Sequence, residues 1–208
     1  AHLFGKRVYL TVNTLIKESE FSEIVPYLQP FYEAGLDAVI VQDIGAFLAI
    51  KEAFPDLKLH VSTQMTVTGS YAANMLKDMG AVRIVPAREL SLEEIRSLKE
   101  KTGLELETFI HGAMCISYSG RCLLSNFMIE RDANRGACAH PCRWKYTLME
   151  EQRPGQYYPI EEDDRGTYIL NSKDLCLIEH LPELIEAGIS SFKIEGRMKS
   201  VFYVATVV

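Results

Sequence analysis

Short apolar runs alternate with longer amphipathic stretches along most of this chain. The runs are rich in Val, Ile and Leu and predict six strands, at residues 7–12, 38–42, 59–62, 83–86, 106–111 and 191–195. Apolar residues at three- and four-residue intervals predict helices between them, at residues 23–34, 45–54, 69–79, 92–101, 178–187 and 201–208. Strand–helix alternation of this kind is typical of a parallel sheet buried on both faces.

Local signals mark where several helices begin and end. Ser91 and Glu94 have the spacing of a capping box, and Asp43 is expected to cap the helix that follows it. Glycines follow four of the predicted helices, where a left-handed residue commonly ends a helix. They are Gly35, Gly80, Gly103 and Gly188.

Six strand–helix units suit part of a (β/α)8 barrel, so we predict an α/β fold with one domain over residues 1–208. A doubly wound open sheet is the alternative, but no G-x-G-x-x-G follows a strand.

The segment 112–175 interrupts the alternation of strands and helices. Within it, residues 144–149 and 157–160 flank Arg153-Pro154-Gly155 and predict a β-hairpin, and residues 161–166 are expected to form a solvated acidic loop.

Composition narrows the classes of function. The net charge is −6 with a pI near 5.4, which argues against a generally basic surface for nucleic acid. No apolar run is long enough for a membrane span, and the first residues do not have the pattern of a signal peptide. Clustered thiols without an export signal predict a cytoplasmic protein.

Four of the five cysteines lie close together, at Cys115, Cys122, Cys138 and Cys142, among several arginines. Three interpretations remain open from spacing alone. Disulfides are disfavoured by the odd count and by a chain long enough to bury a core. Structural zinc requires short knuckles, and only the C-x3-C pair has that spacing. An iron–sulfur cluster accepts more varied spacing, and cationic neighbours stabilise thiolates.

Polar side chains follow the predicted strands, where barrel enzymes place their active sites. Four of them are candidates for binding an anionic substrate: Asn13, Gln64, Arg88 and Arg197. His111 and Glu195 are candidates for proton transfer. Three aromatic residues near the cysteines, Tyr118, Phe127 and Trp144, could stack on bases or belong to the core, and for Phe127 we expect the core.

A longer pattern runs through the cysteine segment. Its residues are Glu107, Phe109, Gly112, Ala113, Met114, Cys115, Gly120, Cys122, Leu124 and Ser125. Together with the runs RDANRGACAHPCRW, LNSKDLC and FKIEGRMKS, they resemble the signature of the peptidase U32, or collagenase-like protease, family. The resemblance covers nearly the whole chain. It implies two further strand–helix units upstream, hence a barrel truncated at its N-terminus.

The resemblance also implies a cofactor. Relatives with a [4Fe–4S] cluster have ligands similar to Cys115, Cys122, Cys138 and Cys176, with Cys142 as the alternative ligand. Without that role, Cys176 would be a small buried hydrophobe in a helix.

The resemblance points to the branch that hydroxylates tRNA uridine 34 to 5-hydroxyuridine, with prephenate as the hydroxyl source. It implies tRNA and a paralogous U32 subunit as partners. Two alternatives are a collagenase-like peptidase with a Cys115–His111 dyad and a non-catalytic, metal-stabilised scaffold. The sequence has neither H-E-x-x-H nor G-x-S-x-G, which weakens the peptidase hypothesis.

Overall fold

A computed structural model gives the fold of this chain. It describes residues 1–208 except 116, 145, 147, 150, 153, 156, 159–161, 164–165, 168–173 and 198. The strands are β1 (Tyr9–Val12), β2 (Ala38–Val41), β3 (Lys58–Val61), β4 (Ala81–Ile84), β5 (Glu105–Gly112), β6 (Leu148–Met149), β7 (Tyr157–Tyr158), β8 (Glu162–Asp163), β9 (Gly166–Thr167), β10 (Leu175–Cys176) and β11 (Ser191–Ile194). The α-helices are α1 (Phe21–Glu33), α2 (Ile44–Ala53), α3 (Ser70–Asp78), α4 (Leu92–Thr102), α5 (Leu124–Ile129), α6 (Leu181–Glu186) and α7 (Val201–Val207).

One sheet organises the chain. Strands β1 to β5 lie side by side in sequence order, all parallel, and β11 pairs parallel with β5. The short β10 pairs antiparallel with the end of β5. The predicted alternation of strands and helices is therefore confirmed. The strand order never reverses, so the doubly wound alternative, which requires a reversal, is wrong.

The sheet curls as a half-barrel. The ring of Tyr9 on β1 lies 4.9 Å from that of His60 on β3, across the intervening strand. Strands β1 and β11 form the two edges and do not pair with each other in the described part of the chain. Closure into an eight-stranded barrel stays a prediction.

The helices pack against the sheet through apolar side chains that are removed from water. Leu28, Phe47, Leu59 and Leu106 are each fully buried in one cluster. Burying such a side chain contributes about 1.5–3 kcal/mol, which explains why the apolar pattern predicts these elements well. Helices α1 to α4 begin and end within two residues of the predicted bounds.

The predicted caps are also confirmed. Asp43 Oδ1 accepts a 3.0 Å hydrogen bond from the Ala46 amide. The Ser91 amide donates to Glu94 Oε2 at 2.7 Å, and the Glu94 amide donates back to Ser91 Oγ. Among the described helices, none combines the length and the apolar character that a bilayer span requires.

A polar layer lies on the concave face of the sheet. Glu107 on β5 accepts hydrogen bonds from Arg83 at 3.1 Å and from Lys193 at 2.9 Å. Beside them, burial lowers the pKa of His60 to about 4. His60 is 2% exposed, and its Nδ1 has no hydrogen-bond partner among the described residues.

The segment 112–175 contains α5, two 3-10 helices (Ala133–Arg135 and Pro141–Arg143) and two short strand pairs. Strands β6 and β7 pair antiparallel, which confirms the predicted hairpin pairing, although Arg153 of its turn lies outside the described residues. Within the expected acidic loop, Glu162–Asp163 pairs with Gly166–Thr167. Residues 161, 164 and 165 of that loop are outside the description.

Candidate functional site at the carboxyl ends of the strands

A cavity of about 330 Å³ opens at the carboxyl ends of the strands. It brings together five of the polar residues predicted for a site: Asn13, Gln64, Arg88, Glu195 and Arg197. Four thiols line the same cavity, those of Cys115, Cys122, Cys138 and Cys142. We call this cavity the thiol pocket.

The thiols are near enough to influence one another. The pKa of Cys115 is raised by desolvation first and by Cys122 and Cys138 as well, although the residue as a whole is exposed. The pKa of Cys142 is raised mainly by burial and also by Cys115, Cys138 and Cys122. Four soft thiolates around one cavity are a donor set that fits an iron–sulfur cluster.

A single metal ion suits the arrangement less well. In the part of the chain that the structure describes, no three His, Cys, Asp or Glu side chains form a group that could hold one ion. A [4Fe–4S] cube takes one thiolate at each iron, so its ligands stand farther apart than those of one zinc ion.

Cys176 lies elsewhere. It is exposed on β10, opposite His111 in the strand register, and is not among the residues that line the thiol pocket. The alternative interpretation of Cys176, a buried hydrophobe in a helix, is therefore wrong. Which cysteine is the fourth ligand stays a prediction.

The loop between Cys115 and Cys122 is clamped through Ser119, which is 6% exposed. Glu89 accepts hydrogen bonds from the Ser119 amide at 2.5 Å and from its hydroxyl at 2.9 Å. On the other side, Thr66 Oγ1 donates to the Ser119 carbonyl at 2.6 Å. Ser119 thus ties the loop to the segments that follow β3 and β4.

Gly120 brings the same loop into backbone contact with the end of β3. A Cβ atom at Gly120 would lie 2.1 Å from the Gln64 carbonyl oxygen, and its φ of +72° is one that favours glycine. Only glycine allows this approach. The position of Cys122, two residues later, therefore depends on it.

The second half of the cysteine segment is attached to the loop after β1. Arg135 forms a two-pronged ion pair with Glu20, at 2.5 and 3.1 Å, and also donates to the Leu15 carbonyl. The Leu15 amide donates to the Asn134 carbonyl at 3.2 Å. These contacts set the path of the chain towards Cys138.

Arg88 is a largely buried cationic residue that lines the thiol pocket. Its guanidinium carbon lies 4.0 Å from the centre of the Phe109 ring, and its Nη2 lies 3.9 Å from Glu195. Burial is the main cause that lowers its pKa. Its buried Nε has no hydrogen-bond partner among the described residues, and the same is true of Gln64 Oε1.

Two unpaired polar atoms in residues that line the same cavity make this cavity a candidate ligand site. Leaving a buried polar group unsatisfied costs about 1–3 kcal/mol, so such groups usually meet water or a ligand.

Arg197 also lines the thiol pocket. Its backbone amide donates to Glu195 Oε1 at 2.9 Å, and its Nη2 donates to Asn13 Oδ1 at 3.2 Å. Glu195 therefore contacts the guanidinium of Arg88 and the backbone of Arg197. Two arginines that line one cavity favour a negatively charged ligand.

His111 differs from the other candidates. Its Nδ1 lies 2.7 Å from the hydroxyl of Tyr203 on α7, and His111 is not among the residues that line the thiol pocket. The structure thus brings Glu195 to the site but holds His111 at its edge. Proton transfer by either residue stays a prediction.

Sequence reasoning missed several residues that support the site. Ser119 has no distinctive spacing, and the Glu20–Arg135 pair joins distant parts of the chain. Asp174 was also missed, although it binds both Arg143 and Lys199 at 2.8 Å. Glu89 was not missed in the same way, because it follows the predicted strand 83–86 closely and lies at the same end of the sheet as the other candidate residues.

The aromatic residues lie at the surface. Phe127 is 86% exposed and Tyr118 is 67% exposed, so the expectation that Phe127 belongs to the core is wrong. Both line a second, open cavity of about 790 Å³, which shares Cys115 and Cys122 with the thiol pocket.

Comparison with known proteins identifies relatives over the whole chain. "tRNA hydroxylation protein P1" of Bacillus subtilis (strain 168) is 43% identical over 208 residues, covering 100% of this chain and 49% of the relative. "23S rRNA 5-hydroxycytidine C2501 synthase" of Escherichia coli (strain K12) is 39% identical over 207 residues, covering 100% of this chain and 30% of the relative. This chain therefore spans half or less of the length of these two relatives.

A solved structure has the same fold. "The Structure of the U32 Peptidase Mk0906" superposes with a TM-score of 0.57 at 15% identity, over 96% of this chain and 74% of the other. The model of peptidase family U32 matches residues 1–208. The resemblance seen in the cysteine signature is thus confirmed, and the chain belongs to peptidase family U32.

Proposed function

We propose that the full-length protein hydroxylates a nucleobase in RNA, and specifically that it forms 5-hydroxyuridine at position 34 of tRNA. The observation that carries the proposal is the thiol pocket, which four thiols, two arginines and Gln64 line together. The names of the relatives support the reaction class, since one is named for tRNA hydroxylation and another for 5-hydroxycytidine synthesis in rRNA. Such a protein would work in the cytoplasm with tRNA, and a paralogous U32 subunit is a further proposed partner.

A [4Fe–4S] cluster is the proposed cofactor. Cys115, Cys122 and Cys138 would supply three ligands, and Cys142 or Cys176 the fourth. A cluster at this place would supply electron transfer. Replacing C5–H by C5–OH removes two electrons and one proton from the base, so the reaction also needs an external electron acceptor and a hydroxyl donor.

Prephenate, a dicarboxylate, is the proposed hydroxyl donor. Arg88 and Arg197 would each bind one carboxylate, and Gln64 Oε1 would accept a hydrogen bond from the donor's hydroxyl. Glu195 lies 3.9 Å from the Arg88 guanidinium and accepts a hydrogen bond from the Arg197 backbone amide, so it partly balances the charge of Arg88 before the ligand arrives. It is also the candidate base for the C5 proton. His111, whose Nδ1 contacts Tyr203, would act through its other ring nitrogen.

The peptidase alternative is consistent with the names of the family and of the solved structure, but no contact among the described residues favours it. A Cys–His dyad needs an activated thiolate beside an imidazole. The pKa of Cys115 is raised instead of lowered, and no imidazole is hydrogen-bonded to its thiol among the described side chains. The scaffold hypothesis does not explain the unpaired polar atoms of Arg88 and Gln64.

Two measurements on the full-length protein test the proposal. Anaerobic purification should give about four irons and four sulfides per chain. Mass spectrometry of nucleosides should show that 5-hydroxyuridine derivatives disappear from tRNA when the gene and its paralogues are deleted. The wild-type gene should restore them and a Cys115→Ser/Cys122→Ser variant should not. Modification that persists in the deletion strain would remove the tRNA assignment.

A further inference from the structure

Three large apolar side chains surround the open cavity beside the thiols. Tyr118 is 67% exposed, Leu123 is 68% exposed and Phe127 is 86% exposed. Single exposed apolar residues are normal on a protein surface. These three side chains line one open cavity together with Cys115 and Cys122, and both cysteines also line the thiol pocket. A ligand lying on them would therefore reach the thiols directly.

The supporting backbone is held in place before any ligand binds. The Tyr118 carbonyl accepts a 3.0 Å hydrogen bond from the Arg121 amide, and the next residue, Ser119, is clamped by Glu89. Phe127 belongs to α5, and its amide donates to the Leu123 carbonyl at 2.9 Å. Rigid aromatic side chains lose little entropy on binding, which favours a stacking surface.

Two exposed arginines lie within a few residues of these rings in the sequence. Arg121 and Arg131 are exposed, and neither forms an ion pair with any residue that the structure describes. The neighbouring arginines differ, because Arg135 is paired with Glu20 and Arg143 with Asp174. In a chain with a net charge of −6, two exposed arginines that are near the rings in sequence and pair with no described residue favour a negative partner at this surface.

A surface that combines exposed aromatic rings with nearby cationic side chains can bind an unpaired nucleotide. Bases stack on aromatic faces while the backbone phosphates meet Arg or Lys. An apolar protein partner would cover the rings but would leave the two arginines without a role.

We infer that Tyr118, Leu123 and Phe127 form a platform on which an unpaired RNA nucleotide stacks as it enters the thiol pocket, while Arg121 and Arg131 hold its phosphates. The inference rests on the proposed function for the identity of the nucleic acid. It adds the surface that presents the base.

Fluorescence anisotropy tests the platform, with the full-length protein and a labelled tRNA anticodon stem-loop that carries unmodified uridine 34. Tyr118→Ala and Phe127→Ala should each weaken binding about tenfold, since stacking contributes ~1–3 kcal/mol per base. Phe127→Tyr, which keeps the ring, should bind like the wild type. Tyr71→Ala is the matched control, because Tyr71 is 94% exposed on α3 and lines neither cavity.

The phosphate contacts have a separate readout. Removing Arg121 and Arg131 together should reduce the magnitude of the slope of log K against log salt by about 1.4 units, because each phosphate contact with a single strand contributes about 0.7. An unchanged slope would overturn the phosphate assignment.

The outcomes separate this inference from the proposed function. If the wild type hydroxylates tRNA and a Tyr118→Ala/Phe127→Ala variant binds RNA with full affinity, the platform is wrong and the hydroxylation stands. If the ring variants lose RNA affinity but no RNA is hydroxylated by the wild type, the platform stands and the reaction is wrong. If they lose a protein partner but keep RNA affinity, the surface belongs to protein recognition and the inference fails.

Discussion

The guanidinium of Arg197 and the side-chain amide of Asn13 meet at the carboxyl ends of the strands, with Arg197 Nη2 3.2 Å from Asn13 Oδ1. Asn13 follows β1 and Arg197 follows β11, the two edges of the curled sheet. The contact therefore connects the two edge strands, which do not pair with each other among the described residues. It also sets the direction from which Arg197 faces the thiol pocket.

Arg197→Lys should raise the KM for the carboxylate donor about tenfold, which corresponds to about 1.4 kcal/mol, and should change kcat less. Lysine keeps the charge but loses the planar fork that binds carboxylate and Asn13 together. Steady-state kinetics with the full-length protein provide the measurement. Arg96→Lys on α4 is the matched control and should leave the KM unchanged. A fall in kcat of about tenfold with an unchanged KM would contradict the proposed role of Arg197 in binding the donor.

Ser119→Ala should lower the free energy of unfolding by about 1–3 kcal/mol. The reason is that, in a buried site, the Glu89 carboxylate loses the hydroxyl donor of Ser119 and the Thr63 hydroxyl loses Ser119 Oγ as an acceptor. Iron content after reconstitution should fall as well, since the loop that carries Cys115 and Cys122 loosens. Urea denaturation and iron analysis measure the two effects. Glu93→Gln, at an exposed position on α4, should change neither. Full iron content in Ser119→Ala would show that the clamp does not position the thiols.

Gly120→Ala should be more damaging than an ordinary glycine substitution. Its Cβ would meet the Gln64 carbonyl at 2.1 Å, in addition to the strain of a positive φ. Gly103→Ala is a matched control, because Gly103 has a φ of +65° and no atom within 4 Å of the added Cβ. We expect about 1 kcal/mol of destabilisation from the backbone strain at Gly103 and clearly more at Gly120. Equal losses in urea denaturation would mean that the loop shifts without cost.

His60 should make the fold sensitive to acid. Its pKa is about 4 in the folded chain and near 6.5 when unfolded, so between these values the unfolded state binds more protons. Stability is therefore full above pH 6.5 and declines as the pH falls towards 4, by up to about 3 kcal/mol. Urea denaturation over this range should show the slope, and His60→Gln should reduce it. An unchanged slope in the variant would assign the effect to other groups.

The fourth ligand can be decided with two serine variants. Because Cys142 lines the thiol pocket and Cys176 does not, we expect Cys142→Ser to lose most of the iron and Cys176→Ser to keep it. Iron and sulfide per chain after anaerobic purification are the readouts. Loss of iron in Cys176→Ser alone would instead support the ligand set implied by the family resemblance.

Features with a local cause could be predicted from the sequence. The bounds of α1 to α4, the cap at Asp43 and the Ser91–Glu94 box depend on residues within one or two turns of each other. The meeting of Asn13, Gln64, Arg88 and Arg197 was also predictable, because carboxyl ends of parallel strands gather at one edge of a sheet.

Features that depend on distant contacts could not be predicted. Phe127 is apolar and follows other apolar residues, yet its ring is 86% exposed on α5. The contact of His111 with Tyr203 joins residues that are 92 apart in the chain, and nothing in the pattern near His111 indicates which way its ring turns.

The attachments of the cysteine segment also bear on the order of assembly. Its loops are held by Glu20 near the start of the chain, by Glu89 in the middle and, through Asp174, by Lys199 near the end. Contacts of such long range form late in folding, because each closes a large loop. On a ribosome, the four thiols would emerge well before the last of these anchors. The site is therefore completed only after the residues that carry all of these anchors have been synthesised.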